Sequence, residues 1–346
     1  MKGEMEMTED VVIVGAGIAG LATAVALKRV GVRALVLERS QGLRSTGAAI
    51  TLQPNAWLAL DALGVSHKLT PIYAPLFKRY VTNVSTGDVQ QSLFTGKGPR
   101  TVHRKALLEA LADELPTDSI RFSSKLAAIE SQEQGGGAST AVVHLEDGTV
   151  IKSKVLIGCD GLHSVVARWL GLAEPVYSGR SAVRGLARFP QGHGFKQEVQ
   201  RFEDVGKRAA FVPLNERELY WFFVCEVAGD AMHPMTPDLG QGGGSSLEDA
   251  VVLGRHIGNS VIRNGALMVP GDMAKAIDDY VKERRWRAAW LVTGSYISGW
   301  KQQGGAKWWM MFLRDGVFYK YVFGWIAGLV DYNCGNLPAV SSGKED

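Results

Sequence analysis

Three glycines near the amino terminus have the spacing that brings a protein backbone close to a phosphate group. Gly15, Gly17 and Gly20 fit the pattern GxGxxG and follow an apolar, β-branched run, Val11 to Val14, which predicts a buried parallel strand. We expect Gly15 to allow a tight turn, Gly17 to let backbone approach a diphosphate, and Gly20 to let a helix lie close to the sheet. That helix would direct free N–H groups and the positive end of its dipole at the diphosphate.

An acidic residue follows at the distance that such a turn requires. The helix is predicted to end at Gly31, and a second strand, Val32 to Leu37, ends directly before Glu38. The Glu38 carboxylate would accept hydrogen bonds from an adenosine ribose and repel a 2′-phosphate, which disfavours NADP at this site. The other interpretation is a glycine-rich turn without a ligand, since the chain has 41 glycines. The strand, the helix and the acid around the motif argue against it.

A second glycine-rich string lies more than two hundred residues further along the chain. It contains Gly229-Asp230 and ends in three consecutive glycines before a predicted helix, Ser245 to His256. The serines at its start could cap this helix, and the acidic pair Glu248-Asp249 would favour the helix dipole from its first turn. A flexible linker is the other interpretation, which the strand-like lead-in and the capped helix disfavour.

A third motif, Gly158-Cys-Asp-Gly-Leu-His-Ser164, lies between the other two and follows a predicted strand. With the three motifs in this order, the sequence resembles the class A flavoprotein monooxygenases, which form the aromatic hydroxylase and zeaxanthin epoxidase superfamily. It is especially similar to plant monooxygenases of the salicylate hydroxylase-like group, and the similarity covers nearly the whole chain. The resemblance implies FAD as the cofactor, with the two glycine motifs at its two ends.

The resemblance also assigns FAD contacts residue by residue. Asp230 would hydrogen-bond the ribitol, Pro237 would lie near the flavin ring, and the backbone around Gly240 to Gly243 would face the flavin pyrimidine. A helix N-terminus there would stabilise negative charge on reduced flavin. The predicted FAD-binding residues are Gly15, Gly17, Gly20, Glu38, Arg39, Arg104, Asp160, Gly229, Asp230, Gly242 and Gly243, and the predicted flavin-proximal residues are Pro237, Gly240, Gln241, Gly242 and Gly243.

Two arginines and one acid complete the predicted site. Asp160 would help to hold the diphosphate and contribute to reductant access. Arg104, which opens a predicted helix, and Arg168 match family arginines, whose forked donors suit phosphate oxygens. Either arginine could instead be a solvated helix residue, and the resemblance favours Arg104 over Arg168. The sequence identifies no side chain as a catalytic base.

The activity that the resemblance implies is oxygen transfer by a single-component enzyme. NADH or NADPH would reduce the flavin and leave, in agreement with the single dinucleotide fingerprint. Oxygen would then form a C4a-hydroperoxyflavin that hydroxylates or epoxidises an electron-rich aromatic or alkene substrate. Two alternatives stay open: a truncated, non-catalytic FAD-binding isoform, and an FAD-dependent reductase or oxidase on the same fold.

The order of elements predicts an α/β fold with interleaved domains. A Rossmann-like, glutathione-reductase-like FAD-binding domain would comprise residues 8–70, 100–175 and 227–335. A smaller mixed-sheet substrate domain would comprise residues 71–99 and 176–226, with a helical C-terminal region and a flexible tail at 336–346.

One segment departs from the family. Relatives place several dozen further residues between the strand that matches Leu219 to Phe223 and the strand that leads into Gly229-Asp230. The segment Glu218 to Ala228 would have to serve both strands, so either the substrate sheet loses an edge or the strand before Asp230 is shortened. We interpret this as an internal deletion and expect a partly opened active site, lower stability and exposed apolar surface.

Composition excludes several classes of protein. The net charge of +3 over 346 residues is too small and dispersed for nucleic-acid binding. Three scattered cysteines indicate a reducing compartment, and the His and Cys spacing predicts no metal site.

Both ends of the chain bear on its location. The first strand leaves no room for a signal peptide, so we expect a cytoplasmic protein, or a plastid protein if the N-terminus is incomplete. An aromatic C-terminal region, including Val317 to Val330, predicts a helix packed on the FAD domain or a peripheral membrane contact.

Overall fold

Within the part of the chain that the computed structural model describes, three β-sheets and seven helices form. That part comprises residues 6–44, 47–94, 96, 98–134, 138–175, 180–204, 207–226, 242–265, 270–303 and 332–338.

The strands are β1 (Glu6–Val14), β2 (Leu35–Leu37), β3 (Ala49–Leu52), β4 (Lys78–Asn83), β5 (Val89–Leu93), β6 (Arg100–His103), β7 (Ile120–Arg121), β8 (Leu126–Gln134), β9 (Ala138–Leu145), β10 (Val150–Gly158), β11 (Arg180–Arg188), β12 (Glu198–Asp204), β13 (Lys207–Pro213) and β14 (Glu218–Glu226). The helices are α1 (Ile18–Arg29), α2 (Pro54–Ala62), α3 (Ser66–Leu69), α4 (Arg104–Ala112), α5 (Val165–Trp169), α6 (Gly242–Arg263) and α7 (Pro270–Gln303).

The first sheet brings the ends of two central strands side by side. Its order is β7-β2-β1-β10-β9-β8, in which the first four strands are parallel and the last two are antiparallel additions. The run from Val11 to Val14 is buried, and Val14 lies opposite Gly158 at the end of β10. The turns that follow β1 and β10 therefore meet at one edge of the sheet, where open α/β sheets bind ligands. This confirms the predicted Rossmann-like architecture.

Helix α1 is buried on nearly all sides because another helix covers it. Leu21, Val25 and Leu27 are fully buried. Helix α6 approaches so closely that a Cβ at Gly254 would lie 2.6 Å from the Cβ of Ala26. Small residues on both helices thus permit a close crossing, and the predicted end of α1 at Gly31 is confirmed by its φ of 78°.

The second sheet is formed by the segments that were predicted to make up the mixed-sheet substrate domain. Its order is β11-β14-β13-β12-β4-β5, with one parallel pair, β12 and β4, and antiparallel pairs elsewhere. Leu214 and Tyr220, supported by Leu186 and Phe222, pack one face of this sheet against Ala49 of β3. Its strands all lie within residues 71–99 and 176–226, while the division into domains stays a prediction.

A small ribbon between the two sheets was not predicted. Strands β3 and β6 pair antiparallel over four residues each, from Ala49 opposite His103 to Leu52 opposite Arg100. Each run is too short for a clear alternation of apolar and polar residues, so only the tertiary pairing reveals it. The ribbon delivers Arg104 to the start of α4 and lies directly under the second sheet.

The segment that follows Glu218 belongs entirely to the second sheet as far as the structure describes it. Strand β14 pairs with β11 through Glu226 opposite Arg180 and also with β13. In the first sheet, β9 pairs with β10 only as far as Ser153. Beyond Ser153, β10 pairs with β1 on one side, and no described strand lies on its other side. The segment that leads into Asp230 lies outside the described residues, so both alternatives for it stay predictions. On the outer face of the second sheet, Val183, Trp221 and Phe223 are exposed.

The predicted start of the helix after the second glycine string is wrong. Helix α6 extends over Gly242–Arg263, so neither serine is its cap and its first turn holds no acidic residue. Glu248 and Asp249 lie further along the helix and pair with arginines of α7 instead. The ion pairs between α6 and α7, rather than the helix dipole, account for the two carboxylates.

The C-terminal helical region is confirmed over α7. Residues 304–331, which carry most of its aromatic side chains, lie outside the described residues, and so does the predicted tail beyond residue 338. None of the described helices combines the length and the apolar run that crossing a membrane would take. No observation on the described residues supports the expected membrane contact.

Candidate cofactor site

Two positions in the glycine-rich turn after β1 have no room for a side chain. Gly15 has a φ of 104°, and a Cβ there would lie 2.5 Å from the carbonyl oxygen of Cys159. A Cβ at Gly20 would lie 1.8 Å from the carbonyl oxygen of Gly15. These distances are shorter than any van der Waals contact, so both positions require glycine for the fold itself. The predicted mechanical roles of Gly15 and Gly20 are confirmed.

Gly17 differs from its two neighbours because the space beside it is open. A Cβ built there meets no described atom within 4 Å. Gly17 is the N-cap of α1, no side chain caps this helix among the described residues, and its first turn has no acidic residue. The first N–H groups of the helix and the positive end of its dipole therefore face a space that an anion can enter.

Glu38 holds the turn from the neighbouring strand. One carboxylate oxygen accepts a hydrogen bond from the Ala16 N–H at 2.9 Å, and the other accepts from the Ser40 N–H at 2.9 Å. The carboxylate is half-buried and keeps further lone pairs for an adenosine ribose. Glu38 thus fixes the shape of the phosphate turn, a role that the sequence did not reveal.

The motif after β10 lies against the same turn. Asp160 accepts hydrogen bonds from the Ser164 hydroxyl at 2.5 Å and from the Val165 N–H at 2.7 Å, and so holds the N-cap residue of α5, Ser164, in place. Burial raises the pKa of the Cys159 thiol to about 12, with a further contribution from the Asp160 charge. Arg168 is exposed on α5. The predicted roles of Asp160 in diphosphate binding and reductant access stay predictions.

Arg104 lies in a cluster of positive charge where the two sheets meet. It is half-buried, and the burial and the charges of Arg44 and Arg184 lower its pKa. A Cβ at Gly47 would touch the Arg104 side chain at 3.3 Å, so that glycine makes room for it. Among the described residues, no carboxylate forms an ion pair with any of the three arginines. The concentration of positive charge around Arg104 favours an anionic ligand.

The second sheet contributes residues that sequence reasoning missed. Arg184 of β11 hydrogen-bonds Tyr220 of β14, and burial raises the pKa of that tyrosine. Neither Arg44 nor Arg184 belongs to a motif, and Arg184 reaches Arg104 through the packing of β11 and β14 on β3. Arg39, which was predicted to bind FAD, is exposed to solvent directly after Glu38.

The second glycine string is described only in part. Gly229, Asp230, Pro237, Gly240 and Gln241 lie outside the described residues, and their predicted contacts stay predictions. The backbone of Gly242 and Gly243 forms the first two residues of α6.

A buried ion network anchors α6 against its neighbours. Glu248 is fully buried and accepts hydrogen bonds from Arg287 at 2.8 and 3.1 Å, and Arg284 lies 2.8 Å from it. Asn55 of α2 also donates to Glu248, and Tyr332 stacks against both guanidinium groups. Burial acts to lower the pKa of Arg284, but the carboxylates beside it outweigh that effect and raise it.

The fold and the site define a dinucleotide-binding α/β protein whose second sheet packs on the β3–β6 ribbon. A family model described as the FAD binding domain matches residues 8–226, and the chain belongs to this family. "Monooxygenase 2" of Arabidopsis thaliana is 36% identical over 414 residues, which cover 96% of this chain and 99% of that protein. "Monooxygenase 1" of the same plant is 35% identical and covers 86% of this chain and 91% of that protein.

Solved structures share the fold. HpxO of Klebsiella pneumoniae, crystallised with FAD and uric acid, has a TM-score of 0.76 at 23% identity and covers 97% of this chain and 99% of that chain. The oxygenase MHPCO in its tetrameric form has a TM-score of 0.73 at 20% identity and covers 94% of this chain and 97% of that chain. These structures show the shared fold, while the family model and the two plant relatives show that the chain is an FAD-dependent monooxygenase.

The alignment with the first relative also bears on the length of the chain. It extends over 414 residues, whereas this chain has 346, so the relative carries tens of residues without a counterpart here. The position of the deletion before Gly229 stays a prediction.

Proposed function

We propose that this chain uses NADH or NADPH and O2 to hydroxylate or epoxidise an electron-rich aromatic ring or alkene, with FAD bound at the glycine-rich turn. The observation that carries the proposal is the open space beside Gly17, at the N-terminus of α1 and beside the Glu38 carboxylate. The names of the relatives support oxygen transfer, and the uric acid in the HpxO structure supports a small-molecule substrate.

The residues present fit FAD. The N–H groups at the start of α1 would bind the diphosphate, and Glu38 would accept hydrogen bonds from the adenosine ribose. Arg104 would donate to diphosphate oxygens, which would offset the repulsion from the neighbouring arginines. Asp230, Pro237 and the backbone at the start of α6 would hold the flavin end. When bound, FAD would accept reducing equivalents from NAD(P)H and activate O2 for transfer of one oxygen atom.

The second sheet would close the site and shape the substrate pocket. Its inner face presents Leu186, Tyr220 and Phe222, whose burial against β3 excludes water from the junction. Arg184 and the Tyr220 hydroxyl would supply polar contacts to the substrate or to the cofactor. In this proposal, residues 71–99 and 176–226 act as the substrate-binding unit.

A second candidate function is FAD binding without turnover. It is supported by β14, which belongs to the second sheet through Glu226, and by the surplus residues of the relative. A chain that lacks the strand before Asp230 could bind the adenosine half of FAD yet hold the flavin loosely.

The proposal is tested by FAD titration of purified protein and of two glycine variants. Gly17→Val should abolish FAD binding with an unchanged circular dichroism spectrum, because its side chain projects into the diphosphate space. Gly42→Val is the matched control, since a Cβ there also meets no described atom within 4 Å and the residue lies outside the fingerprint. A Gly17→Val variant that binds FAD as tightly as the parent would overturn the assignment.

Turnover assays then separate the candidates. NAD(P)H-dependent oxygen consumption with an oxygenated product supports the monooxygenase. Peroxide without an oxygenated product favours a reductase or oxidase. FAD binding without oxygen consumption favours the second candidate.

A further inference from the structure

A chain of three polar side chains crosses the junction between the two sheets. The Tyr73 hydroxyl lies 2.9 Å from Nδ1 of His103, and Nε2 of His103 lies 3.1 Å from Oε2 of Glu218. The tyrosine and histidine rings are also in contact, with centroids 5.8 Å apart. Tyr73 is 3% exposed, and the side chains of the other two are 26% and 20% exposed. Partial burial strengthens such contacts relative to those on an open surface.

The three residues belong to different parts of the fold. Tyr73 follows α3, His103 ends β6, and Glu218 begins β14 in the second sheet. The backbone carbonyl of Tyr73 is itself held by Arg100, at 2.6 Å. The chain of contacts therefore ties the β3–β6 ribbon to the sheet above it at a point next to the apolar packing around Tyr220.

The carboxylate at the end of this chain is held in its ionised form. Hydrogen bonds from Asn215 and the charges of His103 and Arg188 lower the pKa of Glu218. An ionised Glu218 directs the N–H of His103 to Nε2, so Nδ1 accepts from the Tyr73 hydroxyl in the neutral imidazole. In the imidazolium form, Nδ1 donates to the tyrosine oxygen, and the chain stays satisfied. Burial raises the pKa of Tyr73, so its hydroxyl keeps its proton.

Arg104 follows His103 directly, and its surroundings require that it be held in place. His103 is the N-cap residue of α4, so the position of its ring sets the direction in which α4 and the Arg104 side chain begin. Arg44 and Arg184 repel Arg104, and the backbone N–H of Arg104 makes only a long hydrogen bond of 3.5 Å to Ala48. This repulsion opposes the position that Arg104 has in the cluster.

We propose that Tyr73, His103 and Glu218 form an interdomain latch in which His103 is a positioning residue for Arg104, so that the closed junction holds Arg104 towards the anionic ligand. That the ligand is the FAD diphosphate rests on the proposed function. The latch would also hold the second sheet, which carries Arg184, against the β3–β6 ribbon.

The first test is the affinity for FAD of single and double variants. Glu218→Gln should weaken FAD binding about tenfold, in keeping with the loss of one charge-assisted hydrogen bond. In the Arg104→Gln background, the same change should have no further effect, because residues that act through one another are not additive. Glu146→Gln is the matched control, since Glu146 forms an ion pair with Lys125 on an exposed edge of the first sheet. Independent, multiplying effects of the two substitutions would overturn the positioning role.

The second test needs no cofactor and therefore separates the latch from the proposed function. Hydrogen–deuterium exchange of the cofactor-free chain should be faster at the amides of β6 and the first turn of α4 in Glu218→Gln than in Glu146→Gln. Tyr73→Phe, which removes only the hydroxyl, should produce the same local increase to a smaller extent and serves if Glu218→Gln folds poorly. Unchanged exchange at these amides would refute the latch even if FAD binds, and increased exchange would support it even if FAD does not bind.

Discussion

Removal of the buried Glu248 carboxylate should destabilise the protein strongly. Its side chain is fully buried, and those of its partners Arg284 and Arg287 are 4% and 8% exposed. In Glu248→Ala, Arg284 keeps Asp249, whereas Arg287 loses the one carboxylate that forms an ion pair with it among the described residues. Breaking a buried pair in this way typically costs about 3–5 kcal/mol, because a charge is left buried and uncompensated.

The expected loss is measurable as a change in thermal unfolding. For a chain of this length, about 3–5 kcal/mol corresponds to a decrease in Tm of roughly 4–7 °C. Glu248→Gln should lie between the parent and Glu248→Ala, because the amide oxygen still accepts one hydrogen bond but carries no charge. Differential scanning calorimetry or circular dichroism melting curves would give the values, and denaturant unfolding would give the free energy directly.

A surface glutamate provides the control for this prediction. Glu146 pairs with Lys125 at 2.6 Å, but both side chains are more than half exposed. Exposed pairs contribute about 0–1 kcal/mol, so Glu146→Ala should leave Tm almost unchanged. If Glu248→Ala lowers stability no more than Glu146→Ala does, the network does not anchor α6, and the reasoning from burial is refuted.

Three further predictions concern Arg104, Glu218 and two free cysteines. Arg104→Gln should weaken FAD binding about 10–100-fold, because it removes a charged donor to the diphosphate. It should not lower the Tm of the cofactor-free protein, because it also removes the repulsion from the neighbouring arginines. Arg168 is exposed, so Arg168→Gln should change neither the affinity nor the Tm. The pKa of Glu218 is lowered in the folded state, so ionised Glu218 stabilises the fold above its unfolded-state pKa, and this contribution is lost as the pH falls. The difference in unfolding free energy between the parent and Glu218→Gln should therefore shrink towards acidic pH. A difference that stays constant with pH would contradict this. Burial raises the pKa of Cys159 to about 12 and that of Cys334 to about 11, so mass spectrometry after alkylation at pH 8 should find both unmodified until the protein unfolds.

Much of the first sheet could be predicted because its signals are local. The run before Gly15 is continuously apolar, and the glycine spacing, helix and acid that follow leave few other structures open. The meander that leads into Gly158 was also predictable, since its strands alternate and Asp147-Gly148 marks a turn.

The parts that could not be predicted depend on contacts between distant segments. Glu38 was expected to bind the adenosine ribose, but it also accepts a hydrogen bond from the Ala16 N–H in the glycine-rich turn. Nothing in its local sequence indicates this second role. Arg184 reaches Arg104 only because β11 pairs with β14 and both pack on a four-residue ribbon. Glu248 looked like a residue that favours a helix dipole, but a desolvated carboxylate with arginines of α7 within reach is better satisfied by ion pairs.

We expect this 346-residue chain to bind FAD at the turn around Gly17. The most direct measurement is the amount of flavin per protein chain, read from the visible absorption spectrum after incubation with FAD and removal of the excess. We expect close to one FAD per chain, with the absorption bands of an oxidised flavin. A chain that remains folded but retains no flavin would contradict it.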